Sequence, residues 1–62
     1  MGERIRQARR AKGLTQTELG EAVGLATATI SDIERGESRT SVYNLRRIAQ
    51  ALDIAVGDLL AN

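Results

Sequence analysis

Sixty-two residues with nine basic and eight acidic side chains carry a net charge of +1, too small to argue for nucleic acid. A chain this short buries only about 60% of its unfolded surface, so its stability must come from well-formed helices or from dimerisation. Cysteine and histidine are both absent, which excludes thiol or imidazole metal sites and thiol or histidine catalysis. No apolar run approaches the roughly 18 residues that span a bilayer, and Met1 leads into a charged helix rather than a signal peptide. A cytoplasmic protein with no membrane partner is expected.

The chain reads as one all-α domain over residues 1–62. There is no proline and a single aromatic residue, and β-branched alternation is sparse, so strands are not expected. Five short helices follow in order. The first covers residues 3–12, with Ile5, Ala8 and Ala11 on one face and Gly13 closing it. Thr15 opens the second: Thr15-x-x-Glu18 is a capping box, and Leu19, Ala22 and Val23 form the buried stripe. Gly20, without a side chain, lets the next helix approach, and Gly24 supplies the positive φ that redirects the chain. The third helix spans 27–35, with Ile30 and Ile33 inward and Gly36 as its stop. Ser41 caps the fourth, where Val42, Leu45, Ile48, Ala49 and Leu52 give a 3.6-residue stripe. Asp53 is expected in the left-handed position that glycine usually fills. The fifth helix, 56–61, contributes Val56, Leu59 and Leu60.

Residues 16–36, QTELGEAVGLATATISDIERG, carry the most information. Leu19, Ile30 and Ile33 knit two crossed helices to a third, Gly20 permits the close crossing, and Gly24 makes the turn. This is the spacing of a helix-turn-helix, a unit that places its second helix in the major groove of DNA. The charge distribution is compatible with that reading and does not decide it. Residues 1–12 hold Arg4, Arg6, Arg9, Arg10 and Lys12 against Glu3, and residues 35–47 hold Arg35, Arg39, Arg46 and Arg47 against Glu37. Between them lie Glu18, Glu21, Asp32 and Glu34 with no base. Two basic blocks thus bracket the motif, as they also would on ordinary solvated helix surfaces.

Read end to end, the chain resembles the Cro/repressor-type (XRE) helix-turn-helix family of phage and bacterial regulators. The likeness rests on Ile5-Arg6…Arg9, Gly13-Leu14-Thr15-Gln16, Glu18-Leu19, Gly24-Leu25, Thr29-Ile30-Ser31…Ile33-Glu34-Arg35-Gly36 and Leu45…Ile48-Ala49-Gln50-Ala51-Leu52. It implies a five-helix, lambda-repressor-like domain that binds operator DNA, commonly as a symmetric dimer. Position by position, the resemblance gives Gln16 a phosphate contact at the start of the second helix, assisted by backbone N–H groups and the helix dipole. Thr15 shares that end, and capping alone also explains it. Thr27, Ala28, Ser31 and Asp32 match the groove-facing positions of the recognition helix. Arg35, Arg39 and Thr40 match positions where the following loop meets the DNA backbone. Arg9 and Glu34 match a partly buried ion pair between the first and third helices. Glu34 follows Ile30 by four residues and so faces inward, where an unpaired carboxylate is expensive.

The chain also departs from the family pattern. Specific readers usually place Gln, Asn or Arg on the third helix, because these bond bidentately to adenine or guanine edges. Thr27, Ala28, Ser31 and Asp32 offer hydroxyls, a methyl and a carboxylate, so modest base discrimination is expected. Asp32 can accept from a cytosine amino group, yet beside phosphates it repels, and a solvated helix position is its other reading. Ala26 replaces a polar cap, Thr40 stands where proline is common, and Ala55 removes a cap before the fifth helix. Tyr43 lies off the buried stripe, as a phosphate or dimer contact or as plain surface. Val56, Leu59 and Leu60 belong to the core, or in their exposed fraction to a two-fold interface.

The leading functional expectation is therefore the DNA-binding domain of a transcription regulator, with double-stranded DNA as partner and a homodimer as the natural route to specificity. The alternative is a protein-interaction or engineered scaffold module that keeps the fold and binds DNA weakly, in line with Asp32 and the missing amide and guanidinium readers. An enzyme fits poorly. Asp32 and Glu34, two residues apart on a helix, do not face each other, and no phosphate-cradling glycine loop is present. No cofactor, metal or small-molecule substrate is expected.

Overall fold

The computed structural model describes residues 1–60, in the order α1 (Gly2–Ala11), α2 (Gln16–Val23), α3 (Thr27–Glu34), α4 (Val42–Ala51) and α5 (Val56–Leu60). No strand occurs among the described residues. Ala61, expected to end the fifth helix, lies outside them. α2 packs on both α3 and α4, α1 reaches α3, and α5 bridges α4 and α1.

Local chemistry explains the boundaries. The Thr15 hydroxyl accepts from the Glu18 backbone N–H at 3.0 Å, and the Glu18 carboxylate accepts from the Thr15 N–H at 2.9 Å. This reciprocal box satisfies two donors that a helix start leaves open. Gly24 closes α2 with φ +76, and its N–H bonds to the Gly20 carbonyl. Ser41 caps α4 by accepting from the Asn44 N–H at 3.1 Å. Ala26, ahead of α3, provides no side-chain cap. Asp53 takes φ +58, an αL conformation that Asp tolerates, and its carboxylate meets Lys12 of the α1 end.

The core gathers Ile5 of α1, Leu19 and Val23 of α2, Ile30 and Ile33 of α3, Leu45, Ile48 and Ala49 of α4 with Leu52 at its end, and Leu59 of α5. Leu14, Leu25 and Ile54, from the connections, pack half-buried against it. Leu60, at 54% exposed next to the buried Leu59, and three further expected core positions are solvent-facing instead. Ala11 is exposed because at about 100° per residue it lies roughly 120° round the helix from Ile5; the row Ile5–Arg9 faces inward in its place. Ala22 is exposed because α2 buries the narrower row of Leu19 and Val23, together with Gly20. Val42 is 55% exposed: the stripe of α4 reaches its first turn, where no neighbouring element covers it.

Candidate nucleic-acid interface

The crossing of α2 and α3 creates the outer surface. Gly20 is buried, and a Cβ built on it would collide with the Leu25 carbonyl oxygen. The backbone of the turn therefore sits directly on α2, and α3 leaves it at an angle set by that contact. Ile30 and Ile33 anchor α3 from below. Its opposite face carries Thr27 and Ala28, both exposed, and Ser31 and Asp32, both half-buried. All four expected base-facing residues thus share one accessible surface.

Beneath it lies a buried polar cluster. Arg9 Nε donates to Glu34 Oε2 at 2.6 Å and Nη2 donates to Oε1 at 3.1 Å, while Nη1 reaches the Leu14 carbonyl at 2.8 Å. The planar guanidinium fork suits this bidentate pairing. Arg6 Nε lies 3.5 Å from Glu34 Oε1, and the Glu34 side chain is 0% exposed. Burial pushes the Glu34 carboxyl upward, but the hydrogen bonds from Arg9 and Gln16 and the Arg9 charge outweigh it, so its pKa sits below the ordinary value. No buried side-chain N or O among the described residues lacks a partner. The ion pair expected between Arg9 and Glu34 is present, and Arg6, which sequence reasoning did not include, joins it.

Gln16 belongs to the same cluster. Its amide nitrogen donates to Glu34 Oε1 at 3.2 Å, which ties the start of α2 to the end of α3. The amide has two hydrogens, so one remains for another acceptor. Thr15 is exposed; its hydroxyl oxygen accepts in the cap, which leaves its O–H to donate elsewhere.

At the same end of α3, Asp32 and Arg35 meet: Arg35 Nη2 is 2.6 Å from Asp32 Oδ1 and 3.3 Å from Glu37 Oε1. Arg35, expected to meet the DNA backbone, is paired with two carboxylates, one of them on the exposed face of α3. Asp32 is therefore not isolated in solvent: Arg35 holds its Oδ1. Arg39 is exposed, Thr40 half-buried, and Tyr43 67% exposed, with the Arg47 guanidinium 5.7 Å from its ring centroid. These residues lie on the loop before α4 and on its first turns.

A contact with no precursor in the sequence pattern joins the two helices at the surface: the hydroxyls of Thr17 in α2 and Thr27 in α3 are 3.0 Å apart. The expected dimer residues of α5 separate. Leu59 is 1% exposed and belongs to the core, so it cannot face a partner. Leu60 is 54% exposed and Val56 half-buried. An open cleft of about 320 Å³ between α1 and α5 is lined by Arg4, Gln7, Ala8, Ile54, Asp58 and Leu59. No group of three or more metal-ligating side chains and no helix long and apolar enough to cross a membrane occur among the described residues.

Comparison with known proteins places this geometry. The family model described as helix-turn-helix matches residues 5–59. The HTH-type transcriptional regulator SinR of Bacillus subtilis (strain 168) is 38% identical over 61 residues, covering 97% of this chain and 55% of SinR. The chain thus spans about half the length of that relative. A crystal structure of SinR, the master regulator for biofilm formation, in complex with DNA superposes with a TM-score of 0.90 at 38% identity, covering 97% of each chain. The P22 c2 repressor bound to a synthetic operator gives 0.89 at 36% identity, covering 94% of this chain and 88% of the repressor. Nearly the whole of the described fold, including the α2–turn–α3 crossing, has its counterpart in these proteins: the chain belongs to the repressor-type (XRE) helix-turn-helix family.

Proposed function

We propose that this chain acts as a single DNA-binding domain of a transcriptional regulator and binds double-stranded DNA sequence-specifically, with α3 in the major groove. The observation that carries this reading is the face of α3 opposite Ile30 and Ile33: Thr27, Ala28, Ser31 and Asp32 stand together on it, on a scaffold that matches two DNA-bound regulators. Phosphate contacts supply most of the affinity and set register. They come from the free amide hydrogen of Gln16, the hydroxyls of Thr15 and Thr40, the guanidinium groups of Arg35 and Arg39, and the Tyr43 phenol. Thr27, Ala28 and Ser31 touch base edges and thymine methyl groups, which gives limited base choice. Asp32 acts chiefly through Arg35, which must leave its carboxylates to reach a phosphate.

The protein works in the cytoplasm, catalyses no reaction, and needs no cofactor or small-molecule substrate in this reading. A symmetric dimer supplies the specificity that one small face lacks, with half-sites about 34–36 Å apart. Leu60 and Val56 form its apolar contact.

The test is fluorescence anisotropy of a labelled mixed-sequence duplex at several salt concentrations. A Kd at or below about 10⁻⁵ M whose logarithm changes with log salt at about 0.9 per neutralised phosphate is the expected result. Absence of binding at low salt overturns the reading in favour of an interaction module that has kept the fold.

A further inference from the structure

We infer that Thr17 is a positioning residue for base recognition, acting through Thr27. Thr27 is the first residue of α3, so no preceding helical turn restricts its side chain, whereas mid-helix β-branched residues are held by that turn. Ala26 before it contributes no cap and no polar side-chain atom. What fixes the Thr27 hydroxyl is the Thr17 hydroxyl of α2, 3.0 Å away. Both residues are exposed, as is Ala28 beside Thr27.

Hydroxyl accounting defines what the pair offers. Each threonine has one donor and two acceptor lone pairs. One hydroxyl donates to the other, so the pair keeps one free O–H and several lone pairs. With its rotamer fixed, Thr27 presents its methyl and its oxygen in a single arrangement. A freely turning Thr27 would exchange the two and blur the choice between a thymine methyl and a polar base edge. Burial of the pair under a duplex excludes competing water and strengthens the bond between the hydroxyls. The inference rests on the DNA-binding reading.

The experiment compares Thr17→Val, Thr17→Ser and Thr27→Ala with the parent protein. Valine keeps the shape and nearly the helix propensity of threonine, and position 17 is exposed, so folding is preserved. Two readouts are taken: the three-bond couplings that report the Thr27 χ1 angle in the free protein, and binding to a duplex panel substituted at each base pair. Thr27→Ala identifies the base pair that Thr27 meets. Thr17→Val is expected to average the Thr27 couplings and to reduce discrimination at that base pair by about two- to ten-fold, the worth of one hydrogen bond. Mixed-sequence affinity and its salt slope stay within about two-fold, and Thr17→Ser restores both readouts. Unchanged couplings and unchanged discrimination in Thr17→Val overturn the positioning role, as does an equal loss on every sequence. A parent protein that shows no salt-dependent duplex binding defeats the DNA-binding reading itself and this inference with it.

Discussion

Replacing Glu34 by alanine is the most revealing single perturbation of this fold. The carboxylate is fully buried and is the common acceptor of Arg9, Gln16 and Arg6, joining α1, α2 and α3. Glu34→Ala leaves the Arg9 guanidinium, itself only 8% exposed, without a counter-charge. Breaking a buried pair from one side costs about 3–5 kcal/mol. Total stability at 0.05–0.15 kcal/mol per residue is about 3–9 kcal/mol for a chain of this size, so the loss takes from a third to all of it. At about 4–8 °C per kcal/mol for small domains, Tm falls by at least about 12 °C. Circular dichroism at 222 nm, followed through thermal and urea unfolding, measures both. The double replacement Arg9→Met/Glu34→Leu removes both charges and is expected to recover most of the loss, because well-packed apolar pairs often equal buried ion pairs. A Glu34→Ala protein within about 0.5 kcal/mol of the parent would refute the reasoning, since surface substitutions fall in that range.

Other expectations follow from the same geometry. Glu34 has its folded pKa below the ordinary 4.5, so its contribution is fully present above that value and is lost as pH falls through the folded pKa. Stability should hold from neutral pH to about 5 and decline below 4.5, and Glu34→Gln should flatten that acid limb in pH-dependent urea titrations. Asp32→Asn frees Arg35 from its 2.6 Å partner. An exposed pair is worth at most about 1 kcal/mol, so duplex affinity by anisotropy should rise about two- to five-fold; weaker binding would instead make Asp32 a base contact. Arg39→Ala should weaken binding equally across sequences and reduce the salt slope by about 0.9.

Much of the fold was legible because its boundaries are written in side-chain chemistry. The Thr15–Glu18 box, the Ser41 cap, Gly24 at the turn and Asp53 at the α4 end each act within a few residues, and each appears where the pattern puts it. Periodicity identified the core of α3 and α4 for the same reason. It failed where burial depends on what lies opposite: Val42 shares the stripe of Leu45 and Ala49 but has no neighbour to cover it, and Ala22 falls outside the narrow contact of α2. Leu59 and Leu60 are adjacent and equally apolar, yet only the first points into the core. The outward face of α3 was legible as the remainder after Ile30 and Ile33 turn inward. Its tuning was not. The Thr17–Thr27 bond, the Gln16–Glu34 bond and the neutralisation of Arg35 by Asp32 depend on how α2 meets α3 and how the chain curls after Gly36. The charge blocks could not decide the function, and the ion pairs give one reason: Arg6, Arg9, Lys12 and Arg35 are spent on acids of the same molecule and contribute less outward field than their number suggests.

The most direct test of DNA entry at α3 is a titration of ¹⁵N-labelled protein with a short mixed-sequence duplex, followed residue by residue in amide chemical shifts. The largest shifts should fall on Thr15–Thr17, Thr27–Asp32 and Arg39–Tyr43, with Arg4, Gln7 and Asp58 of the α1–α5 cleft nearly still. Shifts centred on that cleft, or none at low salt, would contradict entry of α3 into the groove.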